Sequence, residues 1–168
     1  PLMGDTVKKV EAQGTYGEAG AIAGGSLDGG LIVGVEGTVD TDAVGSYTVT
    51  YSVSDANGNA AVPVVRAVNV VDTTKPLITL LGDTVKTVEA KGTYADAGAI
   101  ASDTLDGSLT VGVVSTVDTD AVGSYTVTYS VSDANGNAAV PVARAVNVVD
   151  TTKPLITLLG DTVKTVEA

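Results

Sequence analysis

The chain has 168 residues and a formal net charge of −11, from 20 acidic and 9 basic side chains. It contains no His, Cys, Trp or Phe, which excludes Cys/His zinc sites, cysteine nucleophiles and His-based catalytic triads. The acidic balance argues against binding to nucleic acid or to anionic membrane surfaces, and it leaves divalent cations as natural partners. No apolar run approaches the roughly 18 residues that a membrane-spanning helix needs, so no membrane insertion is expected.

Val and Thr dominate the composition, with 30 and 23 copies, whereas aromatic residues make up only 4%. Both residue types favour strands, so we expect a β-protein with a core of small aliphatic side chains. The N-terminus has neither an initiator Met nor a signal-peptide pattern, which favours a mature fragment or a piece of a longer chain.

The strand candidates are described for the second half of the chain, in order. They are residues 76–81 with their continuation 84–89, then 94–101, 109–114, 125–132 and 139–149. Residues 125–132 alternate between apolar and hydroxyl side chains, which is the strongest strand signal. Pro141 indicates a bulge or an edge position, since proline cannot donate to a ladder. Six or seven short strands separated by turns predict an all-β, antiparallel sandwich.

The sequence repeats with a period of 78 residues. Residues 4–81 and 82–159 are identical at 66 of 78 positions, and residues 160–168 repeat residues 82–90 in full. This period is too long for a solenoid unit and fits one small β-sandwich. We therefore expect a first repeat over residues 1–72, a second over 73–150, and a linker with the first strand of a third over 151–168.

The run Gly123–Asn137 has the pattern G-x-Y-x-V-x-Y-x-V-x-D-x-x-G-N. It resembles the bacterial surface immunoglobulin-like repeats, which are relatives of the hyalin-repeat and PKD-type modules. Val149–Leu158 is similar to the junction and first strand of the same family. The resemblance covers nearly the whole chain and implies tandem immunoglobulin-like antiparallel β-sandwiches. It also implies an extracellular or bacterial cell-surface location and a role as stalk or spacer of an adhesin-like protein.

Acidic turns supply the candidate binding groups. In an immunoglobulin-like topology, loops of the second repeat meet the linker and one turn of the first repeat. Calcium takes six to eight oxygen ligands from carboxylates, amides and carbonyls, and such an ion would stiffen the joint. The candidate calcium ligands are Asp40, Asp42, Asp72, Asp103, Asp106, Asp133, Asn135 and Asn137.

Turn structure is the alternative interpretation of the same residues. Asp, Asn and Gly fill turns because they tolerate left-handed backbone and cap their own chain. The first repeat provides a comparison, because Gly25 stands where the second repeat has Asp103 and no residue corresponds to Asp72. If the joint binds metal, the same end of the first repeat should bind it weakly or not at all.

The sequence predicts no catalytic site and no enzyme. Asp118 and Asp120 form a carboxylate pair without an aromatic platform for a sugar. Tyr125 and Tyr129 are expected in or near the core with satisfied hydroxyl groups. The two arginines of the last strands, Arg66 and Arg144, are expected on the outer face with local partners.

Residues 154–168 form a first strand without the rest of its domain, and such a strand should fray in water. It could belong to a longer ordered chain, belong to the preceding sandwich, or add to a sheet of another copy. Head-to-tail donation would build a homopolymeric surface filament. The functional hypotheses are therefore a spacer whose partners are neighbouring repeats, a filament subunit, and a module that binds glycan or protein through its loops.

Overall fold

The computed structural model describes residues 1–160 and 162–167, and within them it contains thirteen β-strands and no helix. The strands are β1 Val7–Glu11, β2 Ala23–Gly25, β3 Gly29–Leu31, β4 Gly34–Glu36, β5 Gly45–Ser52, β6 Val64–Val71, β7 Leu77–Leu80, β8 Val85–Glu89, β9 Ala99–Asp103, β10 Gly107–Leu109, β11 Gly112–Ser115, β12 Gly123–Ser130 and β13 Val142–Val149. No helix in this part of the chain could cross a membrane. The predicted all-β fold is confirmed.

The second repeat consists of two sheets whose strand orders are β10-β9-β7 and β11-β12-β13-β8. Alternation along β12 places Val127 and Tyr129 on the buried face, with at most 1% of each residue exposed. Ile78 from β7 and Val146 from β13 complete the centre of this core. Antiparallel pairing prevails, as predicted, but β8 pairs with β13 in parallel.

The first strand is split between the two sheets. The prediction that residues 84–89 continue the strand of residues 76–81 was wrong, because β7 pairs with β9 whereas β8 pairs with β13. Gly82 lies at the switch with a φ of +73°, a conformation that glycine adopts without steric cost. The chain thereby crosses from one sheet to the other within a few residues.

Three other predicted strands have different bounds. Residues 109–114 are divided into β10 and β11, which lie in different sheets. The second strand starts at Ala99, well after the predicted Tyr94. The last strand starts at Val142, directly after Pro141, because proline lacks the N–H that the ladder requires.

The first repeat has the same four-stranded sheet, in the order β1-β6-β5-β4, with β1 parallel to β6. Its other sheet contains only β2 and β3. A single bridge between Leu2 and Ala21 stands where the second repeat has β7.

The beginning of the third copy is not part of a sheet. Residues 151–160 and 162–167 contain no strand, and all of them are exposed. This agrees with the expectation that an isolated first strand gains no ladder bonds. Asp161 and Ala168, which belong to the same predicted strand, lie outside the described residues.

Candidate metal site at the joint between the repeats

The turn between β12 and β13 is built around the Asp133 carboxylate. Its Oδ1 accepts hydrogen bonds from the backbone N–H groups of Asn135 at 3.0 Å and Asn137 at 2.7 Å. Its Oδ2 accepts from the Asn137 side-chain amide at 2.8 Å. Burial raises the pKa of Asp133, but the hydrogen bonds from Asn137 and Asn135 outweigh it and hold the pKa below its usual value. The group is therefore charged at neutral pH.

The first repeat forms the same turn around Asp55. Asp55 Oδ1 accepts from the backbone of Asn57 at 3.0 Å and of Asn59 at 2.8 Å, and its Oδ2 accepts from the Asn59 amide at 2.8 Å. The turn forms in both repeats, although only the second repeat has Asp103 beside it. Turn structure alone accounts for these Asp and Asn residues.

The Asp103 carboxylate differs from that of Asp133, because only one of its two oxygens accepts hydrogen bonds. Its Oδ1 accepts from the backbone N–H groups of Leu105 at 2.8 Å and Asp106 at 3.2 Å. Its Oδ2 is buried and has no hydrogen-bond partner among the described residues. Burial removes the hydration of a carboxylate oxygen, and without a hydrogen-bond partner the free-energy cost of that loss is not offset. Turn formation explains one oxygen of Asp103 and leaves the other unexplained.

The linker brings a further carboxylate to this loop. Asp72 Oδ2 accepts from the Asn135 side-chain amide at 2.9 Å, and its backbone carbonyl accepts from the Asn137 amide at 3.2 Å. Asp106 Oδ2 accepts from the backbone of Ala134 at 3.0 Å, which joins the two loops of the second repeat. Asn135 and Asn137 thus orient the linker against the second repeat.

A glutamate of the first repeat holds the next linker residues from the other side. Glu11 Oε1 accepts from the backbone N–H groups of Thr73 at 2.7 Å and Thr74 at 3.0 Å. The Thr74 hydroxyl also donates to Oε1, and the Thr73 hydroxyl donates to Oε2. These bonds, led by the one from Thr73, lower the pKa of Glu11. Glu89 holds residues 151–152 in the same way. We name this contact, in which a glutamate accepts hydrogen bonds from two consecutive threonines, the Glu11 clamp. It was not predicted from the sequence, although the glutamate and the two threonines recur at the same spacing in both repeats.

Four carboxylates converge at the joint. Asp72, Asp103, Asp106 and Asp133 each offer one oxygen atom, and these oxygens lie within 4.8 Å of one another. Ligands at calcium distances of about 2.4 Å from one ion are separated by at most about 5 Å, so the group could share a cation. None of the four pairs with Lys or Arg in the described part of the chain. Their mutual repulsion is therefore left without a neighbouring positive charge.

Asp40 and Asp42 are not part of this group. The Asp40 carboxylate accepts a hydrogen bond from the backbone of Asp42 at 2.9 Å, and Thr41 O accepts from the backbone of Gln13 at 2.8 Å. Their turn caps its own backbone and binds the segment after β1. The two residues lie outside the group of four carboxylates, and their role as calcium ligands stays a prediction.

The arginines Arg66 and Arg144 are buried, with 1% and 2% of each residue exposed, so their predicted place on the outer face was wrong. In β6 the buried residues alternate as Arg66, Val68 and Val70. This two-residue period could have placed the arginine on the valine face. Each arginine pairs with an acid 48 residues earlier, which no local pattern reveals.

Arg144 ties the last strand to the point where the first strand changes sheets. Its Nε donates to Asp83 O at 2.8 Å, and its guanidinium also bonds Leu81 O and the Asp96 carboxylate. Tyr129 donates to Asp96 Oδ2 at 2.6 Å and accepts from Arg144 at 3.0 Å, which confirms its expected core position with a satisfied hydroxyl. The cluster therefore holds the backbone at Leu81 and Asp83, where the chain passes from one sheet to the other.

The protonation of this cluster is suited to holding structure. Burial, with the nearby Asp96, raises the pKa of Tyr129 to about 12. Burial opposes ionisation of Asp96, but hydrogen bonds from Tyr129 and other donors keep its pKa below the ordinary value. Neither group has a pKa near neutrality, where a general acid or base works best.

The fold and the joint define a class: two immunoglobulin-like β-sandwich repeats connected by a short, hydrogen-bonded linker. The chain belongs to the family described as bacterial surface protein, Ig-like domain, which matches residues 1–70 and 78–148. The resemblance seen in the sequence is thereby confirmed.

Two curated relatives are sea-urchin hyalins. The chain is 36% identical over 135 residues to hyalin of Lytechinus variegatus, covering 76% of this chain and 25% of the hyalin. It is 36% identical over 126 residues to hyalin of Strongylocentrotus purpuratus, covering 70% of this chain and 10% of that protein. The chain thus spans a quarter or less of these relatives. A crystal structure of a lipoprotein from Bacteroides thetaiotaomicron aligns with 47% of this chain and 40% of its own, at 23% identity and a TM-score of 0.41.

Proposed function

We propose that the chain is a non-enzymatic stalk or spacer section of an extracellular, adhesin-like bacterial protein, and that a calcium ion stiffens the joint between its repeats. Membership of the bacterial surface Ig-like family supports the repeat module and its surface location. Two nearly identical sandwiches in tandem suit a part whose task is to set a distance.

The single observation that carries the calcium proposal is the buried, unpartnered Oδ2 of Asp103. It lies in a group of four carboxylates whose oxygens are within 4.8 Å of one another. A hard divalent cation would give this oxygen a partner and would neutralise the repulsion among the four charges. Asp133 and Asp106 are largely explained by turn bonds, whereas Asp103 is not.

Such an ion would act on the geometry of the joint. Asp72 belongs to the linker, while Asp103, Asp106 and Asp133 belong to the second repeat. A shared ion would therefore fix the linker to the second repeat. The Glu11 clamp already fixes residues 73–74 to the first repeat. Together the two contacts would fix the linker to both repeats, so that the two sandwiches would behave as a rigid rod.

Calorimetric titration with calcium tests the site, and Asp103→Gly is the variant of choice because Gly25 occupies this position in the first repeat. We expect one calcium to bind per wild-type chain and no measurable binding to the variant. The matched control is Asp28→Asn, since Asp28 is the first-repeat counterpart of Asp106; it should leave binding unchanged.

Thermal unfolding provides the second readout. Calcium at 100 times its Kd would stabilise the second repeat by about 2.7 kcal/mol, and chelator should remove this gain in the wild type only. Identical melting curves with calcium and with chelator, together with no heat of binding, would remove calcium from the proposal. Magnesium in place of calcium should stabilise less, because it demands smaller octahedral sites.

A further inference from the structure

The turn between β12 and β13 contains an asparagine followed by a glycine, Asn135 and Gly136. Asparagine is a labile residue, because the backbone nitrogen of the next residue can attack its side-chain carbonyl carbon. A glycine in the next position favours this attack, since no Cβ hinders the approach. The chain has six asparagines, and only Asn135 and Asn57 precede a glycine.

The structure leaves this pair of residues accessible. Asn135 and Gly136 are both exposed. Gly136 has a φ of +89°, and a Cβ placed on it would meet no atom within 4 Å beyond its chain neighbours. The Gly136 N–H donates to Asp133 O at 3.3 Å, which is long for a backbone hydrogen bond. The attacking nitrogen is therefore open to water and weakly bonded.

The other two asparagines of the second repeat are poorer sites for this reaction. Asn137 precedes an alanine, and its side-chain amide donates both to Asp133 Oδ2 at 2.8 Å and to Asp72 O at 3.2 Å. Asn147 lies within β13, where the ladder with β12 holds its backbone. Asn135 donates from its side chain to Asp72 Oδ2 at 2.9 Å, so the most reactive asparagine of the repeat is the one that contacts the linker carboxylate.

We propose that Asn135 is a deamidation site and that its conversion regulates the joint. The Gly136 nitrogen forms a bond with Asn135 Cγ, the bond from Cγ to Nδ2 breaks, and the amide nitrogen leaves as ammonia with the proton of Gly136. Water then opens the cyclic imide at either of its carbonyl carbons, which gives aspartate or isoaspartate. One water is consumed, one ammonia is released and one carboxylate is gained, with no oxidant or reductant.

The conversion acts on the contact between the linker and the second repeat. In the structure the Asn135 amide donates to Asp72 Oδ2. A carboxylate in its place has no proton to donate at neutral pH and repels Asp72, so this hydrogen bond is lost. The group of four carboxylates gains a fifth negative charge. Without a cation, deamidation therefore loosens the linker.

The effect on calcium rests on the calcium site proposed above. A fifth negative charge beside the four carboxylate oxygens strengthens their attraction for a divalent cation. Deamidation thus changes a joint that is held in part by an amide into a joint that depends on calcium. The chemical conversion itself needs no calcium, so the two claims can fail separately.

Incubation of the chain in mildly alkaline buffer with chelator, followed by mass spectrometry of its peptides, tests the modification. Asn57 lies in a turn whose sequence, residues 52–64, is identical to that around Asn135, and it serves as the internal reference. We expect conversion of Asn135 and Asn57 and none of Asn137. Asp72→Ala should accelerate the conversion of Asn135 about tenfold, because it removes the hydrogen bond that restrains the amide. An Asn135 that stays intact after Asn57 has reacted would overturn the proposal.

Asn135→Asp reproduces the chemical change and tests its consequence. In chelator the midpoint of thermal unfolding of the second repeat should fall by a few degrees relative to the wild type. In calorimetric titration the variant should bind calcium about tenfold more tightly. Asn57→Asp adds the same charge to the equivalent turn, away from the joint, and should bind calcium like the wild type.

An Asn135→Asp variant that unfolds and binds calcium like the wild type would overturn the regulation of the joint. A wild type that binds no calcium would overturn the calcium site and the tighter binding. In that case the mass spectra and the unfolding in chelator still decide whether Asn135 is modified and whether its conversion loosens the linker.

Discussion

The two repeats share 66 of 78 residues, yet they differ in the loop that carries Asp103 in the second repeat and Gly25 in the first. The hydrogen bonds of the Asp55 turn and the Asp133 turn are the same. Only the second repeat adds Asp103, where the first repeat has Gly25. The acidic turn therefore forms with or without the carboxylate on which the calcium proposal depends.

The two repeats also differ in their buried polar clusters, because Glu18 of the first repeat stands where the second repeat has Asp96. Asp96 of the second repeat accepts from Tyr129 at 2.6 Å. Its counterpart Glu18 is longer, and the Tyr51 hydroxyl, buried like that of Tyr129, has no hydrogen-bond partner among the described residues. The network that is satisfied in one repeat is incomplete in the other.

The largest expected effect comes from Ile78→Ala, which would leave a cavity in the core of the second repeat. Loss of the buried side chain should lower the free energy of unfolding of the second repeat by about 2 to 5 kcal/mol. The first repeat should be unaffected. Hydrogen exchange resolved by repeat measures both values.

The control is Thr79→Ala on the same strand, where the side chain is exposed and the change should be below about 0.5 kcal/mol. Equal losses from the two substitutions would show that β7 contributes no side-chain packing.

Replacing the central tyrosines should separate the two polar clusters. Tyr129→Phe removes hydrogen bonds to Asp96 and Arg144 and should cost about 1.5 to 3 kcal/mol, since both partners are charged. Tyr51→Phe should cost less, because its hydroxyl lies beside the Glu18 carboxylate but makes no well-formed hydrogen bond in the described residues. Chemical denaturation of the two single variants compares them directly, and equal losses would contradict the difference between the clusters.

The smallest difference is expected in acid. Burial opposes ionisation of Glu18, but the neighbouring hydroxyls of Tyr16 and Tyr51, the backbone N–H of Gly20 and the charge of Arg66 lower its pKa from 4.5 to about 2. A folded-state pKa below the unfolded one contributes stability that is present above pH 4.5 and is lost as the pH falls towards 2. The first repeat should therefore weaken over this range.

Glu18→Gln is the test of this pH dependence. The variant should flatten the decline of first-repeat stability between about pH 4.5 and 2, measured by hydrogen exchange at several pH values. An unchanged slope would mean that other carboxylates carry the effect.

Much of the fold could be predicted from the sequence where the side-chain period is strong. The β12 prediction is right because alternating Tyr, Val and Thr residues allow only one face to be buried. The split of the first strand was not predicted, because the sequence of residues 76–89 does not indicate with which strand each half pairs. Pairing partners are set by tertiary contacts, here the hydrogen bonds from the Arg144 guanidinium to the backbone carbonyls of Leu81 and Asp83.

The joint was predictable in part. Asp72, Asp103, Asp106 and Asp133 converge because loops at one end of a sandwich must meet the chain that enters there. Asp40 and Asp42 were assigned to the same place from topology alone. They form a turn of their own that binds Gln13, as the alternative interpretation of the acidic residues predicts, and their role as calcium ligands stays a prediction.

The parallel pairing of β8 with β13 has a mechanical consequence. The chain enters the second repeat through β7, reaches β8 after the switch at Gly82, and leaves through β13. Once β7 is released from β9, a pull on the two ends therefore reaches β8 and β13, which lie side by side over five paired residues. A pull on the two ends therefore drives the strands past each other along their length. The paired residues share the load and must yield together, unlike a hairpin that opens one rung at a time.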